Sequence, residues 1–104
     1  MKTLAGVAAG FCDQLIARAC DVALKEKRRL VLCPRETPLN AIHLENMLKL
    51  SRLGAVIMPP MPAFYSHPES VEDIIDHQIM KVMDQFGLTY ASGRRWKDET
   101  AGQR

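Results

Sequence analysis

The sequence predicts an α/β fold with parallel strands, a partial doubly wound, three-layer domain. Two short apolar runs, Arg29–Cys33 and Ala55–Met58, each end in a proline-bearing loop, as strands of such a sheet do. Helical periodicity precedes, separates and follows them, giving the order helix, strand, helix, strand, helix. That order is one βαβ unit with a helix at each end, and its crossover is expected to be right-handed.

Residues 13–26 read as the first helix, with Leu15, Ile16, Ala19, Val22 and Ala23 at helical spacing as its apolar side. Gln14, Arg18, Asp21 and Lys25 lie along another face. Pro34 stops the first strand, since it cannot continue a helix and the run before it suits a buried strand. Residues 39–53 form a mostly apolar helix that Gly54 is placed to end. Ser70 caps the last helix, with Asp73 three residues on as a variant of the capping box. Val71, Ile74, Ile75, Ile79, Val82, Met83 and Phe86 make its expected buried face, and Gly87 ends it. Residues 1–90 read as one domain and 91–104 as a polar tail in which Trp96 is the one anchor.

Two short parallel strands are a poor sheet, because parallel strands normally have both faces covered and neighbours at their edges. The pattern looks like the second half of a doubly wound domain whose amino-terminal half is missing.

At 104 residues, 47% of them hydrophobic, the chain has the make-up of a small globular domain rather than a disordered segment. A net charge of +2 gives no reason to expect nucleic acid, and acidic neighbours interrupt the cluster Lys25, Lys27, Arg28 and Arg29. No apolar run approaches the ~20 residues needed to span a bilayer, so no membrane contact and a cytoplasmic location are expected. Cys12, Cys20 and Cys33 form an odd set without C-x-x-C spacing and read as buried thiols in a reducing compartment. His43, His67 and His77 are too scattered for a metal site.

Ligands of parallel α/β sheets bind beyond the carboxyl ends of strands, and both loops there carry unusual residues. Arg35 and Glu36 follow the first strand directly. The guanidinium can grip a phosphate or a polar ring edge through several donors, and the carboxylate can orient a group or move a proton. A local ion pair is the competing reading. Arg18 and Lys25 share one helix face two turns apart, although Asp21 between them also permits an exposed salt-bridge ladder. Tyr65 ends the stiff loop Pro59-Pro60-Met61-Pro62-Ala63-Phe64-Tyr65. Its hydroxyl can donate to a phosphate and its ring can face a cation, or it can simply pack in the loop. Lys81 faces away from the apolar stripe and reads as solvated. Met1, Lys2 and Thr3 offer backbone amides and a hydroxyl at a helix start, which suits an anionic or polar ligand.

Leu32-Cys33-Pro34-Arg35-Glu36-Thr37-Pro38-Leu39, Ile42-His43-Leu44-Glu45-Asn46-Met47-Leu48 and Pro59-Pro60-Met61-Pro62-Ala63-Phe64-Tyr65 closely resemble the flavin prenyltransferases. These are the UbiX-type proteins, formerly aromatic acid decarboxylase small subunits. Met1-Lys2-Thr3-Leu4-Ala5-Gly6 resembles a further flavin-contacting segment of that family. The resemblance runs over roughly residues 1–96 and covers the carboxyl-terminal part of the family's chain. It implies a Rossmann-like flavoprotein domain. The family's first β-strand, its Gly-Ala-Ser-Gly type phosphate loop and the serine before Met-Lys-Thr have no counterpart here. An internal methionine taken as a start, or a truncated gene, is therefore expected ahead of a split protein.

The resemblance implies a metal-independent prenyl transferase joining a dimethylallyl group from dimethylallyl phosphate to N5 and C6 of reduced FMN. The prenylated FMN would serve a partner decarboxylase, and the enzyme would be a homo-oligomer. By matching position, Met1, Lys2, Thr3 and Arg35 would contact FMN, and Glu36 would take part in the transfer. Arg18 and Lys25 would lie near the allylic phosphate, Tyr65 would bind dimethylallyl phosphate, and Lys81 would reach the phosphate across a subunit boundary. Trp96 resembles a tryptophan near the same site. A non-catalytic fragment that keeps only an oligomerisation surface is the alternative. A flavin-dependent cysteine decarboxylase is disfavoured, because that group carries a His base and an Asn-rich motif where Arg-Glu-Thr-Pro stands here.

Overall fold

The computed structural model describes residues 1–10 and 14–89, in two compact units: Met1–Pro59, and Pro60–Arg104 as far as residue 89. Cys12, the start of the 13–26 helix, the 91–104 tail and Trp96 lie outside the described residues.

The first unit runs α1 (Lys2–Ala9), α2 (Leu15–Lys25), β1 (Val31–Leu32), α3 (Ala41–Arg52) and β2 (Val56–Ile57). The strands pair in parallel, Val31 opposite Val56 and Leu32 opposite Ile57, with α3 as the crossover. Backbone bonds from the Val56 N–H to the Leu30 carbonyl (2.9 Å) and from the Met58 N–H to the Leu32 carbonyl (2.7 Å) extend the ladder at both ends. The expected βαβ unit is present, with only two residues of regular strand on each side.

Helix α1 is an addition to the elements read from the sequence. It is eight residues long with Gly6 inside it, too short and too rich in small residues to show a helical period. Its Leu4, Val7 and Ala8 are nevertheless buried, and it packs against α2 and α3. With Ala17, Cys20, Leu50 and Ala55 they form the core of this unit.

The buried face of α2 also differs from the expected one. Ala17 and Cys20 are buried, whereas Leu15 (83% exposed), Ile16, Ala19 and Val22 face outward. The contact with α1 is made by small side chains, which let two helices approach closely. A stripe chosen by hydrophobic size therefore selects the wrong side.

Helix α3 starts two residues later than the periodicity implied because Asn40 caps it. The Asn40 side chain accepts from the His43 N–H (2.9 Å), and His43 Nδ1 accepts from the Asn40 N–H (3.3 Å). This is a capping box with histidine in the usual Glu/Gln place. At the other end, the Ala55 N–H reaches the Leu50 carbonyl (3.0 Å) and the Gly54 N–H the Ser51 carbonyl (3.1 Å). That pair is a Schellman closure, and Gly54 supplies the required positive φ of 107°.

Helix α2 ends in the same closure without a glycine. The Arg28 N–H meets the Ala23 carbonyl (2.8 Å) and the Lys27 N–H the Leu24 carbonyl (3.2 Å), which holds Lys27 at φ 58°. A β-carbon in the left-handed region costs ~1–2 kcal/mol, and glycine's extra chain entropy offsets part of the gain from removing it. Lys27→Gly is thus expected to stabilise the chain by up to about 1 kcal/mol. The check is a higher urea midpoint at unchanged slope.

The second unit holds a 3₁₀ turn (Phe64–Ser66) and α4 (Val71–Gln85). The buried Ser66 Oγ donates to the Ala63 carbonyl (2.7 Å) and ties the turn to itself. Ser70 caps α4 as expected, accepting from the Asp73 N–H (3.1 Å). Asp73 Oδ2 accepts from the Glu69 N–H (2.9 Å), so the reciprocal bond closes one residue upstream of the usual box. The expected buried stripe of α4 needs correction. Met80 is its buried residue, while Val71, Ile75 and Phe86 are exposed and Ile74, Ile79, Val82 and Met83 half-buried. Periodicity locates the apolar arc of a helix, but the neighbours decide which part of its circumference is covered.

Candidate functional site

A cleft of about 190 Å³ opens in the first unit where α1, α2 and the end of β1 meet. Leu4, Val7, Ile16, Cys20 and Leu32 form its apolar wall. Met1 and Thr3 enter from the start of α1, and Cys33, Pro34 and Arg35 from the loop that leaves β1. Among the described residues no side-chain hydrogen bond caps the start of α1 at Met1, so its first-turn N–H groups face solvent or a ligand. The Thr3 hydroxyl lies 3.4 Å from Gln14 Oε1 at the start of α2. Small-molecule pockets commonly span ~300–1,000 Å³, so this cleft fits part of a larger ligand. One wall suits a ring, and its rim offers helix-start amides and an exposed guanidinium.

Three candidates from distant sequence positions, Met1, Thr3 and Arg35, therefore share one cleft. Lys2 and Glu36 are exposed beside these residues in the chain, but neither lines it. Arg18 and Lys25 are exposed on α2 and do not line it either. The wall residues Cys20 and Leu32 carried no sequence signal beyond being apolar.

In the second unit, Tyr65 lies on the 3₁₀ turn, 74% exposed, with its ring edge-to-face to His77 of α4 at 6.0 Å and 89°. Lys81 follows His77 one turn along the helix and is exposed. Burial first, and then the Lys81 ammonium, hold the His77 imidazole below its ordinary value of 6.5. Sequence reasoning weighed His77 only as a metal ligand and missed this contact, which depends on how the turn folds onto the helix. Among the described residues, no group of three or more His, Cys, Asp or Glu side chains is placed to hold a metal ion. Nor is any described helix long and apolar enough to cross a membrane.

A fold of parallel strands with a cleft at a strand's carboxyl end defines a nucleotide- or cofactor-binding class of α/β protein. The Flavoprotein family profile matches residues 1–83, and the chain belongs to that family. It is 62% identical over 97 residues to a probable UbiX-like flavin prenyltransferase of Escherichia coli O111:H-, covering 93% of this chain and 49% of that protein. It is also similar to the crystal structure of a dodecameric FMN-dependent UbiX-like decarboxylase from Escherichia coli O157:H7. That match has a TM-score of 0.86 and 61% identity, over 92% of this chain and 52% of the other. The crystal structure of AnUbiX (PadA1) in complex with FMN and dimethylallyl pyrophosphate matches with a TM-score of 0.87 and 56% identity. It covers 91% of this chain and 50% of its own. These neighbours show the fold to be part of a Rossmann-like flavoprotein α/β fold, as the sequence predicts. The chain spans about half the length of the relatives it matches.

Proposed function

We propose that this chain carries part of a flavin prenyltransferase, which moves a dimethylallyl group from dimethylallyl phosphate to FMN. The observation that carries the reading is the cleft beyond β1, where an apolar wall meets the α1 start and Arg35. Its chemistry fits one portion of FMN, a flat apolar ring bearing polar edges and a phosphate. When bound and reduced, FMN would supply the nucleophilic N5 and C6 positions that accept the dimethylallyl group.

The chain's own residues then have separable tasks. Arg35, with Met1, Lys2 and Thr3, holds FMN through charge-assisted and backbone hydrogen bonds. Glu36 orients the reacting groups and moves a proton during ring closure. Arg18 and Lys25 stabilise the departing phosphate, whose negative charge grows as the allylic bond breaks, and Lys81 reaches a phosphate across a subunit boundary. The Tyr65 hydroxyl donates to that phosphate, and its ring faces the developing allylic cation. The complex of AnUbiX (PadA1) with FMN and dimethylallyl pyrophosphate supports the choice of a dimethylallyl donor.

We further propose a cytoplasmic homo-oligomer that hands prenylated FMN to a decarboxylase. The dodecameric relative and the large exposed side chains Leu15, Ile16 and Ile42 support an oligomer. The Cys33 thiol, exposed rather than buried as the sequence suggested, suits a reducing compartment.

Incubating the chain with reduced FMN and dimethylallyl phosphate, then weighing the extracted flavin, tests the reading. A flavin heavier by one dimethylallyl unit, with phosphate released, is expected. Equilibrium dialysis on the same sample should show weak but saturable FMN binding. FMN retained but unmodified would leave a binding fragment without transfer activity, and no retention at all would sink the proposal.

A further inference from the structure

We infer that His77 is a positioning residue, holding the Tyr65 ring on the side of α4 that carries Lys81. The inference rests on the assignment of Tyr65 and Lys81 to the allylic phosphate made above.

Tyr65 stands on a three-residue turn and is largely exposed, so solvent alone would leave its ring free to change rotamer. The bond from Ser66 Oγ to the Ala63 carbonyl fixes the backbone of the turn but does not touch the phenol. The ring contact the structure gives it is the His77 imidazole, 6.0 Å away between centroids and perpendicular at 89°. Both values fall within the preferred edge-to-face range for aromatic pairs. His77 is fixed to a 15-residue helix capped at its start by Ser70, so a rigid element anchors the pair. His77 and Lys81 are four residues apart on α4 and hence on one face. A phenol resting on His77 therefore lies over the same side of the helix as the Lys81 ammonium. One anionic group, at a site shared with a neighbouring subunit, would then meet a hydroxyl and a cation together. Burial and the Lys81 ammonium both disfavour the charged form of His77, so the ring acts on Tyr65 by packing rather than by charge.

The test uses the 104-residue chain, with dimethylallyl phosphate as the probe and two-dimensional NMR of the tyrosine ring protons as the readout. The wild-type chain should bind saturably, with Tyr65 resonances shifted by the neighbouring ring. His77→Ala should return those resonances towards random-coil positions and weaken binding about two- to tenfold, the worth of an aromatic pair. His77→Phe keeps a ring on the same helix position and should restore both to within about twofold. Backbone amide spectra verify that each variant is folded. Wild-type shifts and affinity in His77→Ala overturn the inference, as does a His77→Phe no better than His77→Ala. Failure of the wild-type chain to bind at any accessible concentration refutes the assignment of Tyr65 and Lys81 itself, and the inference with it.

Discussion

Leu50→Ala is expected to destabilise the chain by about 2–5 kcal/mol, the usual cost of emptying a core leucine site. Leu50 is 0% exposed, and it is the largest side chain among the fully buried ones. It sits in the last turn of α3 and forms the core with Leu4, Val7 and Ala8 of α1, Ala17 and Cys20 of α2, and Ala55 before β2. Three of the six other core residues are alanines, which cannot swing into a vacated space, whereas the partly buried Leu30, Leu32, Met47 and Ile57 packed against the core can relax towards it. The cost should therefore fall within that range rather than beyond it. Small domains hold only ~5–15 kcal/mol in total, so a loss of this size leaves a substantial unfolded population. Leu50→Met conserves volume and should cost less than ~1.5 kcal/mol. Urea denaturation of both variants against the wild type checks the pair. A loss below about 1 kcal/mol for Leu50→Ala would mean that the core is not organised around this residue.

The features legible in the sequence are those set by local chemistry. Ser70 with Asp73, Gly54 and Gly87 each mark a helix end, because a cap involves only residues a few positions away. The two strands were legible because prolines bound them. What the sequence hid depends on partners far along the chain. Helix α1 earns its place through contacts with α2 and α3, not through any period of its own. The inward side of α2 is set by the close approach of α1, which favours Ala17 and Cys20 over the larger Leu15 and Ile16. Asn40 and His43 were available to a reader of local patterns, but histidine is not the residue that the third helical position usually carries in a capping box. At the site, the strand-end rule points to Arg35, and the cleft adds Met1 and Thr3 from more than thirty residues upstream. The Tyr65–His77 contact has no sequence signature, since twelve residues separate two rings that meet only when turn and helix are both formed.

Placed in a chain of its relatives' full length, Arg35→Ala and Tyr65→Phe should affect two different ligands. Arg35 lines the cleft beyond β1, within the first unit. Each charge-assisted hydrogen bond that its guanidinium would make to FMN is worth ~1.5–3 kcal/mol, so its loss should weaken flavin binding at least tenfold. The variant is expected to lose flavin on purification. Tyr65 belongs to the second unit, where its ring rests on His77. Replacing it by phenylalanine keeps that edge-to-face contact and removes only the hydroxyl. FMN binding should then be unchanged, while the dimethylallyl phosphate needed for half-maximal rate rises by about tenfold, the equivalent of one hydrogen bond. Flavin absorbance and prenyl-transfer kinetics on the same preparations separate the two effects. Should Tyr65→Phe shed flavin while Arg35→Ala retains it, the ligands have been assigned to the wrong loops.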